Sequence, residues 1–207
     1  MLFCYITDRR QFPGNDAAQR TLLLKKIAEA ARYSVDYIQL REKDLSTRDL
    51  ERLANEAMRV VRENSPSTRL LINSRTDVAL AVDADGVHLR ADDILPTEVR
   101  AIWKAKRACT IGVSCHFAEQ VGRAASQGAD FVVFGPVFRK KDELARGVGL
   151  GALTQACKYN IPVLALGSVT LENAKGCFGA GAAGIAGIRL FQENDIATAV
   201  SLIRNWR

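Results

Sequence analysis

A short pattern that recurs along the whole chain constrains its fold more than any single motif. A polar or small lead-in precedes a compact apolar run in four segments: SVDYIQL at 34–40, DADGVHL at 83–89, GADFVVF at 128–134 and GAAGIAG at 181–187. These segments start roughly 50 residues apart, about twice the length of a compact strand-plus-helix unit. Other apolar runs lie before or between them: LFCYIT at 2–7, LLIN at 70–73, TIGVS at 110–114 and VLALG at 163–167. The pattern therefore predicts eight strands.

The stretches between these strands have helical periodicity. In residues 47–63, apolar side chains recur on one face of a helix: Leu50, Leu53, Ala54, Ala57, Met58 and Val61. Ser46 and Asp49 resemble a capping box at the start of this helix. Short apolar strands that alternate with helices imply a parallel sheet, and eight such units close most simply into a barrel.

Two arrangements of a parallel sheet are compatible with a chain of 207 residues. An open, doubly wound sheet is one of them, but self-similarity at a spacing of two units favours a closed barrel. No Ser/Gly/Pro-rich or low-complexity stretch suggests a linker between domains. We therefore expect an α/β protein in which residues 1–207 form a single (β/α)8 TIM-barrel domain.

Composition and charge narrow the functional classes. The net charge is +6, but lysines and arginines are spread along the chain, which fits an anionic metabolite better than a nucleic acid. The five cysteines form no C-x-x-C pair, which argues against a disulfide framework or a zinc site and favours a reducing cytosol. The few residues before Asp8 leave no room for an export signal, and no apolar run reaches about 18 residues. We expect a cytoplasmic protein without nucleic-acid or membrane partners.

Barrel enzymes place their chemistry where strands end and βα loops begin. The residues at or just beyond the predicted strand ends are therefore the first candidates: Gln39, Arg41, Lys43, Asn73, Ser74, His88, Arg90, Asp92, Asp93, Ser114, His116, Gly167, Ser168, Gly187 and Arg189. We consider them in groups that share a chemistry.

The segment QLREK after the second strand alternates in character. If Gln39, Arg41 and Lys43 share a face, they direct an amide and two cations into the barrel mouth, which suits a phosphate or a carboxylate. The alternative is a surface charge cluster in which Glu42 and Asp44 are the partners of the two cations. Spacing alone leaves both interpretations open.

Small residues end the seventh and eighth strands. Backbone N–H groups at Gly167, Ser168, Gly187 and Ile188 can approach a phosphate closely, as at the usual anion site of this architecture. Arg189 adds a charge there or faces solvent. The glycines are also compatible with a purely structural role in tight turns.

His116 is one of two histidines and follows the fifth strand, where an imidazole can transfer protons near neutral pH. Ser114, Cys115 and His116 do not make a hydrolase triad, because no G-x-S-x-G elbow is present and the spacing is wrong. Cys115 is expected to pack as a small hydrophobic residue, and His88, inside the fourth strand, is expected to be structural.

A magnesium site is conceivable at Asp92 and Asp93, but Mg²⁺ commonly needs a second carboxylate or a substrate phosphate. The obvious place for that acid follows Asn73, where this chain has Ser74. Asp77, one helical turn later, is as easily a solvent-facing residue. The residues themselves therefore do not favour a metal site.

A series of ordered motifs covers nearly the whole chain: YITD, IQLREKD, LLINSRTDVALA, ADGVHL, IGVSCH, GADFVVFGPVF and VLALGS. In these motifs the chain resembles the thiamine phosphate synthase/TenI family, (β/α)8 barrels of thiamine biosynthesis. The resemblance implies a small phosphorylated thiazole substrate, and it makes a homodimer plausible.

The synthases of this family join a pyrimidine diphosphate to a thiazole phosphate and use Mg²⁺. The resemblance implies that pyrimidine diphosphate is bound by Gln39, Arg41, Lys43 and Asn73. It implies that the metal is bound by Asp93. Three departures fall on this subsite. Ser74 replaces the second metal-binding acid, Arg90 and Ala91 replace a usual Gly-Gln pair, and the segment with Lys140 and Lys141 lacks the usual threonines.

The TenI-like thiazole tautomerases share the barrel but need no metal and no pyrimidine. They resemble this chain in the small residue after Asn73 and in a short segment that ends Arg146-Gly147-Val148. His116 matches their proton-transferring histidine, with Ser114 as a hydrogen-bonding support.

These resemblances rank three functions. The first is a TenI-like thiazole tautomerase that uses no cofactor. The alternative is a thiamine phosphate synthase that uses Mg²⁺ at Asp93, and the third is a non-catalytic barrel that binds thiazole or thiamine phosphate. Relatives usually carry a serine in the phosphate loop where this chain has the segment GIRL, so the phosphate contact of Arg189 stays open.

Overall fold

The computed structural model describes residues 1–103, 108–138 and 147–206. Eight parallel strands form a closed barrel in which spatial order follows chain order. The strands are β1 (Leu2–Ile6), β2 (Tyr37–Leu40), β3 (Arg69–Asn73), β4 (Gly86–Leu89), β5 (Thr110–Cys115), β6 (Phe131–Phe134), β7 (Val163–Ala165) and β8 (Gly184–Gly187). Pairing of β1 with β8, from Leu2 opposite Gly184 to Tyr5 opposite Gly187, closes the cylinder. The predicted (β/α)8 barrel is confirmed.

Helices connect the strands around the outside of the barrel. In the described part of the chain they are α1 (Asp16–Arg32), α2 (Thr47–Asn64), α3 (Thr76–Ala81), α4 (Pro96–Ile102), α5 (Ala118–Ser126), α6 (Gly149–Ala156), α7 (Ala174–Gly179), α8 (Arg189–Gln192) and α9 (Ile196–Arg204). A short 3-10 turn, Arg9–Gln11, precedes α1. Among the residues described, no helix is both long enough and apolar enough to cross a membrane.

Helix α2 shows how the sequence directs this packing. The hydroxyl of Ser46 accepts a hydrogen bond from the backbone N–H of Asp49 and caps the helix, as predicted. All six apolar residues of the predicted face are buried: Leu50, Leu53, Ala54, Ala57, Met58 and Val61. The apolar stripe therefore fixes the face that α2 turns to the barrel.

Alternation along the strands separates the barrel interior from the layer under the helices. Seven buried residues form a separate apolar cluster inside the barrel: Cys4, Ile6, Leu71, Phe131, Val133, Leu164 and Ala186. Leu166 and Ile188 pack against this cluster. Polar residues with the same inward alternation lie toward the carboxyl ends of the strands, where Gln39 pairs with Ile6 and Ser114 with Val133 of the cluster. The cluster fills much of the barrel interior and leaves the polar side chains at the carboxyl-terminal end.

Gly112 on β5 makes room for two side chains inside the barrel. A Cβ atom at this position would lie 2.5 Å from Cζ of Phe131 and 2.7 Å from Nδ1 of His88. Both distances are far below van der Waals contact, so any larger residue would displace one of these rings. The missing side chain thus places His88 in the barrel interior.

Candidate active site

Two hydrogen-bonded pairs form a polar layer at the carboxyl-terminal end of the barrel interior, beside Ile6 and Val133 of the apolar cluster. Nε2 of Gln39 donates to Oδ1 of Asn73 at 2.7 Å, which joins the ends of β2 and β3. Nε2 of His88 lies 2.9 Å from the hydroxyl oxygen of Ser114, which joins β4 to β5. Oε1 of Gln39 and Nδ1 of His88 are buried and have no hydrogen-bond partner in the described structure. Such atoms carry a desolvation cost unless a ligand or a water satisfies them.

His88 is buried, as expected, but it also belongs to this polar layer. Its pKa falls to about 4, because burial disfavours the imidazolium and the nearby Arg41 cation adds to the effect; Asp93 opposes it. His88 is therefore neutral at pH 7. A neutral ring can either donate to Ser114 or accept from it through Nε2. The prediction that His88 is structural missed this contact with a candidate site residue.

Arg41 and Lys43 follow β2 without carboxylate partners. In the described ranges, no Asp or Glu oxygen lies within 4 Å of either side chain, and Arg41 is half-buried while Lys43 is exposed. Glu42 and Asp44 pair with Arg9 instead. The structure thus contradicts the alternative in which the two acids neutralise these cations and leaves both cations available to an anion at the mouth.

Ser74 and Asp93 lie together at the ends of β3 and β4. The Ser74 hydroxyl donates to Oδ2 of Asp93 at 2.7 Å, and Arg90 donates its backbone N–H at 2.8 Å and its Nε at 3.1 Å to the same carboxylate. Burial acts to raise the pKa of Asp93, but these hydrogen bonds outweigh it and the pKa lies below its usual value. Asp93 is therefore an anion at neutral pH.

Other acids near this point do not complete a metal site. Asp77 pairs with Arg75, whose Nε donates to it at 2.8 Å, and the side chain of Asp92 is exposed. No group of three or more His, Cys, Asp or Glu residues suited to a metal ion occurs within the described ranges. Within the described ranges, Asp93 is thus the carboxylate that is bonded to Ser74.

His116 lies on the loop between β5 and α5 with its ring at the surface. Its Nδ1 lies 2.6 Å from the carbonyl oxygen of Gly135. A carbonyl only accepts, so Nδ1 carries a proton, and in the neutral ring Nε2 is then the nitrogen whose lone pair can take a proton from a ligand. The backbone N–H groups of His116 and Phe117 both donate to Oε1 of Gln120, which fixes the loop.

Two neighbours of His116 have other contacts. Ser114 lies beside His88, and no hydrogen bond joins it to the His116 side chain among the residues described. The inward alternation of β5 turns the Ser114 hydroxyl to β4 and not to the His116 ring, so its role as a hydrogen-bonding support at the site stays a prediction. Cys115 is buried, as expected, and burial raises the pKa of its thiol to about 12.

At the ends of β7 and β8, the groups available to a ligand are mainly backbone groups. Gly167 has φ +104° and Ser168 has φ +47°, and a Cβ atom at Gly167 would lie 2.4 Å from Cα of Pro136. Close packing therefore requires this glycine independently of any phosphate. At the end of β8, the side chain of Ile188 packs on the interior cluster next to Gly187. A phosphate bound to this edge stays a prediction.

Arg189 begins the four-residue helix α8 and is exposed. Its Nε lies 3.7 Å from Oε1 of Glu193 along the same helix, a surface pair of small energetic value. Lys140 and Lys141, in the segment that lacks the usual threonines, and Arg146, in the short segment that resembles the tautomerases, lie outside the described residues.

Comparison with known proteins places this geometry in a family. A family model described as thiamine monophosphate synthase matches residues 3–191. A protein of Aquifex aeolicus provisionally named thiamine-phosphate synthase 2 is 40% identical over 190 residues, which is 91% of this chain and 96% of that protein. The thiamine-phosphate synthase of Clostridium novyi is 35% identical over 92% of this chain and 90% of its own length.

A solved structure agrees with the sequence matches. Thiamine phosphate pyrophosphorylase from Pyrococcus furiosus superposes with a TM-score of 0.80 and 30% identity, covering 99% of this chain and 94% of that one. The 3-hexulose-6-phosphate synthase structure, with 19% identity and a TM-score of 0.66, shares the fold alone. The match across most of the chain and the order of its motifs lead to one conclusion: this chain belongs to the thiamine monophosphate synthase/TenI family.

Proposed function

We propose that this protein is a thiamine-phosphate synthase, which couples a pyrimidine diphosphate to a thiazole phosphate and releases pyrophosphate. The observation that carries the proposal is the pair of cations at the mouth, Arg41 and Lys43, which no described carboxylate neutralises. The names of the relatives support the same activity. They favour it over the tautomerase that the sequence analysis ranked first.

The polar layer suits the pyrimidine diphosphate. Gln39 and Asn73 present amide groups, which match the donors and acceptors of a pyrimidine ring, and Oε1 of Gln39 is free to accept from an amino group. Arg41 and Lys43, further out, meet the diphosphate. The C–O bond to the diphosphate breaks and its electron pair leaves with pyrophosphate, and the ring nitrogen of the thiazole then forms a C–N bond to the pyrimidine methylene. The cations stabilise the charge that develops on the leaving group.

Magnesium fits a version of this site that has one carboxylate in place of two. Asp93 is an anion at neutral pH and supplies one carboxylate, and Mg²⁺ is commonly held by one or two carboxylates together with substrate phosphates and waters. Asp93 would hold the ion, with the Ser74 hydroxyl beside it. When bound, the ion would add to the charge stabilisation of the leaving pyrophosphate.

A thiazole tautomerase is the second candidate, and two observations favour it. Ser74 stands where a synthase carries its second acid, and it donates to Asp93 rather than adding a negative charge. His116 has its Nδ1 proton held by Gly135 and its Nε2 free, which is the state of a general base. Isomerisation needs one proton removed from the ring and one delivered to an exocyclic carbon, which a single such imidazole can perform.

A paired assay of the purified protein tests the proposal. The first reaction contains the non-aromatic thiazole carboxylate phosphate alone, and the second contains aromatic thiazole phosphate, pyrimidine diphosphate and Mg²⁺. Coupling to thiamine phosphate in the second is the expected result. Isomerisation in the first without coupling in the second would overturn the synthase and establish the tautomerase. Ligand binding without either reaction would overturn both enzymes and support the non-catalytic binding protein.

A further inference from the structure

Arg9 is a buried arginine behind the barrel mouth that the proposed chemistry does not use. It follows β1 in the 3-10 turn, and only 5% of its surface is exposed. Its guanidinium donates to three carboxylates: Asp16, Glu42 and Asp44. A buried arginine with this many charged partners is unusual, because each added buried charge carries a desolvation cost. A role in surface charge alone does not explain why Arg9 is buried with these carboxylates.

The contacts of Arg9 concentrate on the loop after β2. Its Nη1 and Nη2 donate to the two oxygens of Asp44 at 2.7 and 2.9 Å, a bidentate pair. Nη1 also donates to Glu42 at 3.1 Å, and the backbone N–H of Arg9 donates to both oxygens of that carboxylate. All five of these bonds join two short segments that are more than 30 residues apart in sequence.

Thr7 extends the network to the backbone of a mouth residue. Its hydroxyl donates to Oε1 of Glu42 at 2.6 Å and accepts from the backbone N–H of Arg41 at 2.9 Å. The Thr7 hydroxyl therefore binds both the backbone of Arg41 and the carboxylate of Glu42. Thr7 and Glu42 are both buried, so water does not compete for these bonds.

The network determines which way the loop faces. Alternation carried just past β2 puts Arg41 on the inner side with Gln39 and Glu42 on the outer side, where Glu42 is bound to Arg9. Lys43 and Asp44 lie in the turn that follows, and the Arg9–Asp44 pair anchors that turn. The same contacts keep the two acids away from the two cations.

We propose that Arg9 is a positioning residue: by binding Glu42 and Asp44, it holds the loop after β2 so that Arg41 and Lys43 face the diphosphate of the substrate. This inference rests on the proposed function, which supplies the diphosphate. Arg9 itself touches no substrate, and its effect is transmitted through the loop.

Two carboxylates that share Arg9 provide a matched pair of variants. Asp44 lies on the loop that carries the cations, whereas Asp16 is the first residue of α1, and both have partly exposed side chains. Asp44→Asn and Asp16→Asn each remove one negative charge near the mouth. Loss of a negative charge by itself strengthens the binding of an anion. Weaker binding in Asp44→Asn therefore identifies lost geometry and cannot be a charge effect.

The experiment is calorimetric titration of the full chain with inorganic pyrophosphate. We expect Asp44→Asn to bind pyrophosphate about tenfold more weakly than wild type, while Asp16→Asn stays within about twofold. Arg9→Lys, which keeps the charge but loses the bidentate geometry, should weaken binding as Asp44→Asn does. Adding Arg41→Ala to Arg9→Lys should cost less than the sum of the two single changes, because both act through the same contact.

The outcomes separate this inference from the proposed function. Unchanged or tighter binding in Asp44→Asn, or equal losses in both Asp→Asn variants, would overturn the positioning role. Pyrophosphate binding that responds as expected in a protein that does not couple the two substrates would support the positioning role and overturn the synthase alone. A wild-type protein that binds no pyrophosphate would overturn both.

Discussion

The hydroxyl of Ser74 donates a 2.7 Å hydrogen bond to Oδ2 of Asp93, which joins the ends of β3 and β4 at the barrel mouth. In the described part of the chain, Asp93 is the carboxylate that this hydroxyl contacts, whereas an acid in place of Ser74 would add a second carboxylate for a divalent metal. The backbone of Ser74 has φ +60°, a left-handed conformation that aspartate tolerates better than most residues. The position can therefore accept the acid that the synthase subsite lacks.

We predict that Ser74→Asp lowers the Mg²⁺ concentration for half-maximal coupling by about tenfold, because a second carboxylate adds a ligand and a charge. Steady-state coupling measured against Mg²⁺ concentration checks this. Ser74→Ala is the control, since it removes the hydroxyl without adding a charge and should not lower the requirement. An unchanged Mg²⁺ dependence in Ser74→Asp would show that the new acid does not reach the ion.

Asp93→Asn directly tests the proposed magnesium site, which has one carboxylate. Its carboxylate is bonded to Ser74, and no cluster of acids surrounds it in the described ranges, so the amide should lower Mg²⁺-dependent coupling by about 100-fold. Asp92→Asn is the matched control, because Asp92 is the adjacent residue and its side chain is 77% exposed against 11% for Asp93. We expect the control to retain activity within about twofold. Equal rates for wild type and Asp93→Asn would remove Asp93 from the metal site.

His88 makes the stability of the fold depend on pH. Its pKa is about 4 in the folded protein against 6.5 in the unfolded chain, so the unfolded state binds a proton first as pH falls. Above pH 6.5 the ring is neutral in both states and has no effect. Between pH 6.5 and pH 4 stability falls, and below pH 4 the loss is complete, about 3 kcal/mol for a shift of this size.

Urea unfolding at pH 7 and at pH 4.5 measures this effect. The free energy of unfolding should fall more in wild type than in His88→Gln, which cannot titrate at this position. His116→Gln controls for the other histidine, whose ring is exposed, and should keep the wild-type difference. The same pH difference in wild type and His88→Gln would show that other groups cause the acid sensitivity.

The sequence predicted the barrel and the α2 face because both depend on local periodicity. Apolar runs mark the strands, and one stripe from Leu50 to Val61 marks the buried face of a helix. Strand ends were less well predicted: the seventh strand was expected over 163–167, but β7 ends at Ala165. The extended conformation ends before Gly167 and Ser168, whose φ angles of +104° and +47° are not those of a strand.

Contacts between distant segments could not be read from the sequence. Ser114 bonds to His88 because β4 and β5 pair with His88 opposite Gly112, a register that the sequence does not specify. Arg9 was missed for a similar reason, since its partners Glu42 and Asp44 follow another strand. The available signal was inward alternation on adjacent strands, which puts His88 and Ser114 in one layer.

His116 separates the two candidate reactions. Its Nδ1 proton is held by the Gly135 carbonyl, so Nε2 is the atom that can take a proton from a thiazole ring. In a protein that isomerises the thiazole carboxylate phosphate, His116→Ala should lower turnover by about 10²- to 10⁴-fold. Phe117→Ala is the control, because Phe117 is the exposed neighbour on the same loop and contacts Gln120 through its backbone.

The measurement is the rate of aromatisation, with circular dichroism to show that each variant is folded. A loss of tenfold or less in His116→Ala would exclude this residue as the acid and base. A large loss of isomerisation together with unchanged coupling would show that one barrel mouth carries both chemistries on different residues, with proton transfer at His116 and diphosphate release at Arg41 and Lys43.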